Sequence, residues 1–210
     1  LSRNSGSREV NTDIEQAKDQ VRRRLLAIAG GLGGERGDRE ARIRTHLEGI
    51  VDRLECKVVM GFAPIGSEPD IGPLLEGWRE AGREVCLPVV GPDPGMMEPV
   101  RLREGLATLG RDRLGVPTPE GPAVATERLD AVLVPGCGFD AGLTRLGRGG
   151  GYYDRFLARC PGVAAIGVCF ESQVVQVLPT EAHDRGVDLL VTEQGVRSIA
   201  GFGGSGSHDG

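Results

Sequence analysis

The sequence predicts an α/β fold in three layers, α/β/α, around a mostly parallel, doubly wound sheet. Three observations predict it. Short apolar runs recur at 57–61, 84–90, 131–135, 164–170 and 188–192. These runs are rich in Val, Ile and Leu and do not alternate with polar residues, as expected of parallel strands covered on both faces. Helix-length amphipathic stretches separate them and give the chain a βαβ rhythm.

In chain order, 13–29 reads as an amphipathic helix opening on Asp13, and 38–55 as a second opening on Asp38. An acidic side chain suits a helix start because it meets the positive end of the aligned peptide dipoles. The run 57–61 is the first strand, helix 70–81 opens on Asp70, and strand 84–90 follows. The Gly- and Pro-rich stretches 91–94 and 115–122 are connections, too short to separate independent domains. Strand 131–135 feeds a long glycine-punctuated loop, then helix 152–160, strand 164–170 and strand 188–192. Residues 13–200 are read as a single domain, with a flexible extension at 1–12 and a disordered Gly-, Ser- and His-containing tail at 201–210.

At 210 residues the chain can bury a continuous core without disulfides or structural metal. A net charge of -5 and a pI near 5.3 argue against a nucleic-acid partner, which calls for a basic balance. No stretch has the length of apolar residues that spans a bilayer, so no membrane partner is expected and a cytoplasmic monomer is the reading. The five cysteines, Cys56, Cys86, Cys137, Cys160 and Cys169, include no Cys-x-x-Cys pair. They suggest neither a disulfide framework nor a zinc site and fit reduced thiols.

The chemistry concentrates at 134–157, VPGCGFDAGLTRLGRGGGYYDRFL: a buried strand, a glycine loop with two arginines, then a helix. Glycines at 147, 149, 150 and 151 let backbone N–H groups crowd round an oxyanion, the following helix adds its dipole, and Arg145 and Arg148 add charge. Phosphate is the natural ligand. A Walker loop is excluded because the chain has no Gly-Lys dipeptide. A dinucleotide fingerprint started at Gly147 fails at Tyr152, where a third glycine would stand.

This segment, with its Phe-Asp and Arg-Leu-Gly-x-Gly-x-Gly-Tyr-Tyr-Asp pattern, closely resembles the signature of the 5-formyltetrahydrofolate cyclo-ligase family. Residues 166–193, IGVCFESQVVQVLPTEAHDRGVDLLVTE, resemble its second signature around Phe-Glu-x-Gln, Leu-Pro and His-Asp followed by Val-Asp. Lys18 and Arg22, Phe62 to Glu68, Met97 and the turn at 115–119 follow in the family's order, so the resemblance covers roughly 16–197. One departure is Thr118, where the family often has Glu before the proline.

The resemblance implies an ATP- and Mg²⁺-dependent ligase of one-carbon metabolism. It would cyclise 5-formyltetrahydrofolate to 5,10-methenyltetrahydrofolate by phosphorylating the formyl oxygen, so that N10 attacks and phosphate leaves. The alternative is a non-catalytic folate- or nucleotide-binding member of the same fold; consumption of ATP separates the two. Residue by residue, the resemblance assigns catalysis to Arg145, Arg148 and Tyr152. It assigns ATP to Lys18, Arg22, Arg145, Leu146, Gly147, Arg148, Gly149, Gly150, Gly151, Tyr152 and Tyr153. The folate falls to Arg22, Ala63, Glu68, Met97 and Arg148 to Tyr152, and Mg²⁺ to Asp154 and Asp188. Spacing alone shows only that Lys18 and Arg22 share a helix face, where they could equally be solvated surface charges. Ala63, Met97 and Tyr153 could equally be core. Asp140 and Asp184 read as loop braces, and His183 as a loop residue with no catalytic part.

Overall fold

A computed structural model describes residues 6–198 apart from 92, 94, 114, 182 and 183, and the backbone alone for 6–12. The predicted tail at 201–210, residues 1–5 of the predicted extension, and His183 lie outside the described residues. The chain runs α1 (Gly6–Gly30), α2 (Arg36–Arg53), β1 (Val58–Met60), α3 (Gly72–Glu80), β2 (Glu84–Val90) and β3 (Met97–Arg101). There follow β4 (Gly110–Arg111), β5 (Pro117–Thr118), β6 (Ala131–Pro135), β7 (Gly138–Asp140), β8 (Arg145–Leu146) and α4 (Tyr152–Arg159). The last strands are β9 (Ala164–Val168), β10 (Val174–Val175), β11 (Leu189–Thr192) and β12 (Gly195–Ser198). The first helix starts at Gly6 rather than at 13, since no proline stands between those positions to stop it.

Seven strands form the main sheet in the order β12-β11-β9-β6-β1-β2-β3. The inner strands β11, β9, β6, β1 and β2 are parallel, as the apolar runs predict. The antiparallel edges β3 and β12 are additional to the prediction. Both are reached by short reversals and carry charge or proline, Glu98, Pro99 and Arg101 on one and Arg197 on the other, which edge positions tolerate.

The pleat sorts the core into two layers. Val59, Leu87, Leu133, Ile166 and Val191 pack with Ile43 and Leu47 of α2 and Leu75 and Trp78 of α3. Met60, Cys86, Val132, Val134 and Leu190 pack with Phe156 of α4. Every position of β1, β6 and β11 is buried, which is why these runs show no alternation. Phe139 of β7 is seated in a notch left by two glycines: a Cβ on Gly136 would come within 2.8 Å of its ring, and one on Gly167 within 2.7 Å. Leu133 has no exposed surface, so Leu133→Ala is expected to cost about 2–5 kcal/mol, read as a lower midpoint in urea denaturation.

All five thiols are buried and free. Burial pushes the Cys86 thiol up to about 12 and raises Cys56, Cys137, Cys160 and Cys169 in the same direction. Because only thiolates react, the native protein is expected to leave a disulfide reagent unconsumed at about pH 8 and to react once unfolded. Among the described residues no helix is long and apolar enough to cross a membrane.

Candidate active site

Chain order and sheet order diverge beside β1. From β1 the chain first adds β2 on one side, then returns to add β6 on the other. Helices flanking such a reversal splay apart, so the crevice at the carboxyl ends of these strands is where an open α/β sheet takes its ligand. A cavity of about 350 Å³ opens there. Phe62 and Ala63, leaving β1, and Pro135 and Gly136, leaving β6, line its base. Leu87, Val89, Val90 and Met97 of the β2–β3 pair form an apolar wall, continued by Val116 beside β5 and Thr118 within it. Glu68, Arg145, Arg148, Gly150, Gly151 and Tyr152 supply the polar side.

The glycine loop is shaped by its own bonds. Asp140 is buried and accepts from the N–H groups of Gly142 (2.9 Å), Thr144 (3.0 Å) and Leu178 (3.1 Å), so it is the brace its sequence context suggests. Gly151 precedes α4 in the left-handed region, at φ +63°, and no side chain caps the helix start. The first N–H groups of α4 therefore stay available beside the cavity. A Cβ on Gly147 would meet Arg145 Nη1 at 2.6 Å, so the close approach of arginine to loop requires glycine there.

Arg145 is 6% exposed. Its Nη2 donates to Asp154 Oδ1 at 2.9 Å, its guanidinium lies 5.6 Å from the Tyr153 ring centre, and its Nε has no partner. Arg148 Nε donates to Glu68 Oε1 at 2.8 Å, and Glu68 Oε2 accepts the Ile65 N–H at 2.8 Å. Glu68 is thereby held on the cavity rim. Burial raises the Tyr153 hydroxyl pKa, with the Glu68 charge adding to it and Arg145 opposing; Tyr153 stays neutral.

Behind the loop lies a second group of predicted residues. Arg22 Nε donates to the Gly147 carbonyl at 2.9 Å, and Arg22 also pairs with Asp19. Lys18 is buried, with Nζ 2.7 Å from both Glu181 Oε2 and Asp184 Oδ2. Burial alone pulls the Lys18 pKa down, but the bonds and charges of Asp184 and Glu181 outweigh it and leave the ammonium above its ordinary range. Asp154 accepts the Arg185 N–H at 3.2 Å, which brings its carboxylate to the same segment.

Ala63, Glu68, Met97, Gly147, Arg148, Gly150, Gly151, Tyr152, Tyr153 and Arg145 thus converge on one cavity. Lys18, Arg22 and Asp154 flank the loop, and Gly149 lies within it, without lining the cavity. The Leu146 side chain is buried with Cys137, Leu178 and Val21, leaving only its backbone for a ligand. Asp188 stands apart from these residues. It immediately precedes β11, at the amino-terminal end of that strand, and its Oδ2 accepts the Ala165 N–H at 2.8 Å. Its carboxylate thus engages the start of the β9–β11 pairing. Asp184, read from the sequence as a brace, pairs with Lys18, and Glu181 beside it is a neighbour that sequence reasoning missed. Among the described residues no three acidic, His or Cys side chains form a self-sufficient metal site. Carboxylates such as those of Asp154 and Asp184 have the chemistry suited to a hard ion that takes most of its oxygens from a nucleotide.

Residues 14–193 match the model of the 5-formyltetrahydrofolate cyclo-ligase family. A 5-formyltetrahydrofolate cyclo-ligase of Mycolicibacterium smegmatis is 31% identical over 186 residues, covering 84% of this chain and 94% of its own. One from Escherichia coli is 29% identical over 177 residues, covering 82% and 96%. The solved structure of an Aquifex aeolicus 5,10-methenyltetrahydrofolate synthetase superposes with a TM-score of 0.76 at 34% identity, covering 91% of this chain and 96% of that one.

Proposed function

The chain belongs to the 5-formyltetrahydrofolate cyclo-ligase family and is an enzyme of the ligase class, and from this we propose that it joins the N5-formyl carbon of 5-formyltetrahydrofolate to N10, converting ATP to ADP and phosphate. The formyl oxygen accepts the γ-phosphoryl group, N10 attacks the activated carbon, and the oxygen leaves with phosphate. The observation that carries the reading is the buried Arg145, anchored by Asp154 and lining, with Arg148 and the glycine loop, a cavity whose other wall is apolar.

The residues divide the work between the two sides of the glycine loop. Arg145, Arg148 and the loop N–H groups hold the transferred phosphoryl group and the charge that develops on it. Lys18 and Arg22 approach the nucleotide from α1. Glu68 accepts hydrogen bonds from pterin N–H groups, while Met97, Val90 and Ala63 exclude water from the ring. Tyr152 lays its ring along the folate. Asp154 and Asp184 would hold Mg²⁺. The ion, when bound, would neutralise charge on the nucleotide oxygens.

The test follows the ultraviolet absorbance of methenyltetrahydrofolate formed from 5-formyltetrahydrofolate. Product should require both ATP and Mg²⁺, each singly omitted, with ADP released in equal amount. Folate binding without ATP consumption would instead support a non-catalytic member of the fold.

A further inference from the structure

Arg155 sits in the first turns of α4, faces solvent, and has no part in the reaction as assigned above. Its guanidinium nevertheless meets both walls of the cavity. Nε donates to the Gly95 carbonyl at 2.9 Å, and Nη2 donates to the Gly150 carbonyl. The guanidinium carbon also lies 5.7 Å from the centre of the Tyr152 ring. Gly95 belongs to the turn from β2 to β3, which carries the apolar wall of Val90 and Met97. Gly150 and Tyr152 belong to the wall opposite. One side chain therefore ties together two segments that are far apart in the chain.

The backbone on both sides is shaped to admit it. Gly95 has φ +78°, and a Cβ there would fall 2.1 Å from Arg155 Nη2. Gly151 has φ +63°, and a Cβ there would fall 2.8 Å from Arg155 Nη1. One turn further along α4, Arg159 donates to the Met97 carbonyl at 2.9 Å and to Glu98 at 2.8 Å. β3 is thus docked on α4 independently, and what Arg155 adds is the link from the turn to Gly150 and Tyr152. A planar fork can serve two carbonyls and a ring face together, which a lysine ammonium cannot.

We propose that Arg155 is a positioning residue for the folate: it fixes the β2–β3 turn against Gly150 and the Tyr152 ring, and so sets the width of the slot that the folate ring enters. This rests on the reading of the cavity as the folate pocket.

The experiment compares the full-length chain with R155Q, R155K, G95A and the double variant R155Q/G95A. The KM for 5-formyltetrahydrofolate is expected to rise about tenfold in R155Q, as suits the loss of hydrogen bonds from a charged donor, while kcat and the KM for ATP stay within about threefold. R155K should move the same way, because it cannot reach both carbonyls. G95A drives a Cβ into the guanidinium and should repeat the effect. The double variant should be no worse than the poorer single one, since both remove one contact. Amides around Gly95 and Gly150 should exchange hydrogen faster together in ligand-free R155Q. A folate KM within about twofold of the parent, or kcat and both KM values worsening in parallel with a fall in Tm, would overturn the positioning role. A parent chain without turnover would overturn the functional reading; turnover with unchanged exchange in R155Q would overturn this one.

Discussion

Arg145→Met should lower kcat about 10³-fold at saturating substrates, the scale on which removing a preorganised donor to a developing oxyanion is felt. The size of the effect follows from burial and from bonding. Arg145 is enclosed by protein, one arm is fixed by Asp154, and Nε is a desolvated donor without an acceptor. A guanidinium held in this way beside the cavity meets an arriving phosphoryl oxygen with little reorganisation. Arg148 differs: its side chain is 38% exposed and already engaged with Glu68. Its removal should lower kcat less than that of Arg145 and raise KM as well. Methionine fills much of the space of the Arg145 stem, and Asp154 keeps the Arg185 N–H, so the Arg145 variant should remain folded by circular dichroism. Turnover within about tenfold of the parent would show that the charge at 145 is structural and that transition-state charge is met elsewhere.

The second large effect separates three aspartates. Asp154→Asn and Asp184→Asn should each raise the Mg²⁺ concentration for half-maximal rate at least about tenfold, with lower turnover at saturation. Asn keeps the shape of each side chain and an acceptor oxygen, so the Arg185 N–H bond to residue 154 and the Lys18 contact at residue 184 survive in geometry. What is lost is the charge that a hard cation requires. Asp188→Asn should leave the Mg²⁺ dependence unchanged, because that carboxylate accepts the Ala165 N–H at the amino-terminal end of β11. Rates measured across a Mg²⁺ titration decide it, and a strong shift in the Asp188 variant alone would restore Asp188 as the ligand and remove Asp184.

The contrast among these aspartates also shows where sequence reading stopped. In His-Asp-x-x-Val-Asp the two acids lie four residues apart, and nothing in composition says which pairs with Lys18 and which with the backbone of β9. The answer depends on where β11 starts, and strand ends are set by pairing with β9. The glycine loop and its arginines were legible because the chemistry demands small residues and charge in one short stretch. The apolar wall was not: Val90 and Met97 reach the cavity only because β3 folds back on β2. In the fold, the inner strands announced themselves as unbroken apolar runs because both of their faces are covered. The edges β3 and β12 have mixed composition, and β4, β5, β8 and β10 are two-residue ladders too short to leave any periodic trace.

The notch that holds Phe139 bears on how this chain can change by mutation over generations. Gly136 follows β6 and Gly167 lies in β9, yet the one ring occupies the space that a methyl group at either would need. Positions 136, 139 and 167 are therefore inherited as one unit. An alanine at 167 is tolerable only after the ring at 139 has given way to something smaller, and that first step opens a cavity that a later methyl can refill. The path has a required order, so descendants of such a chain should carry either both glycines with the aromatic ring or a bulkier pair with a smaller side chain, and seldom a mixture.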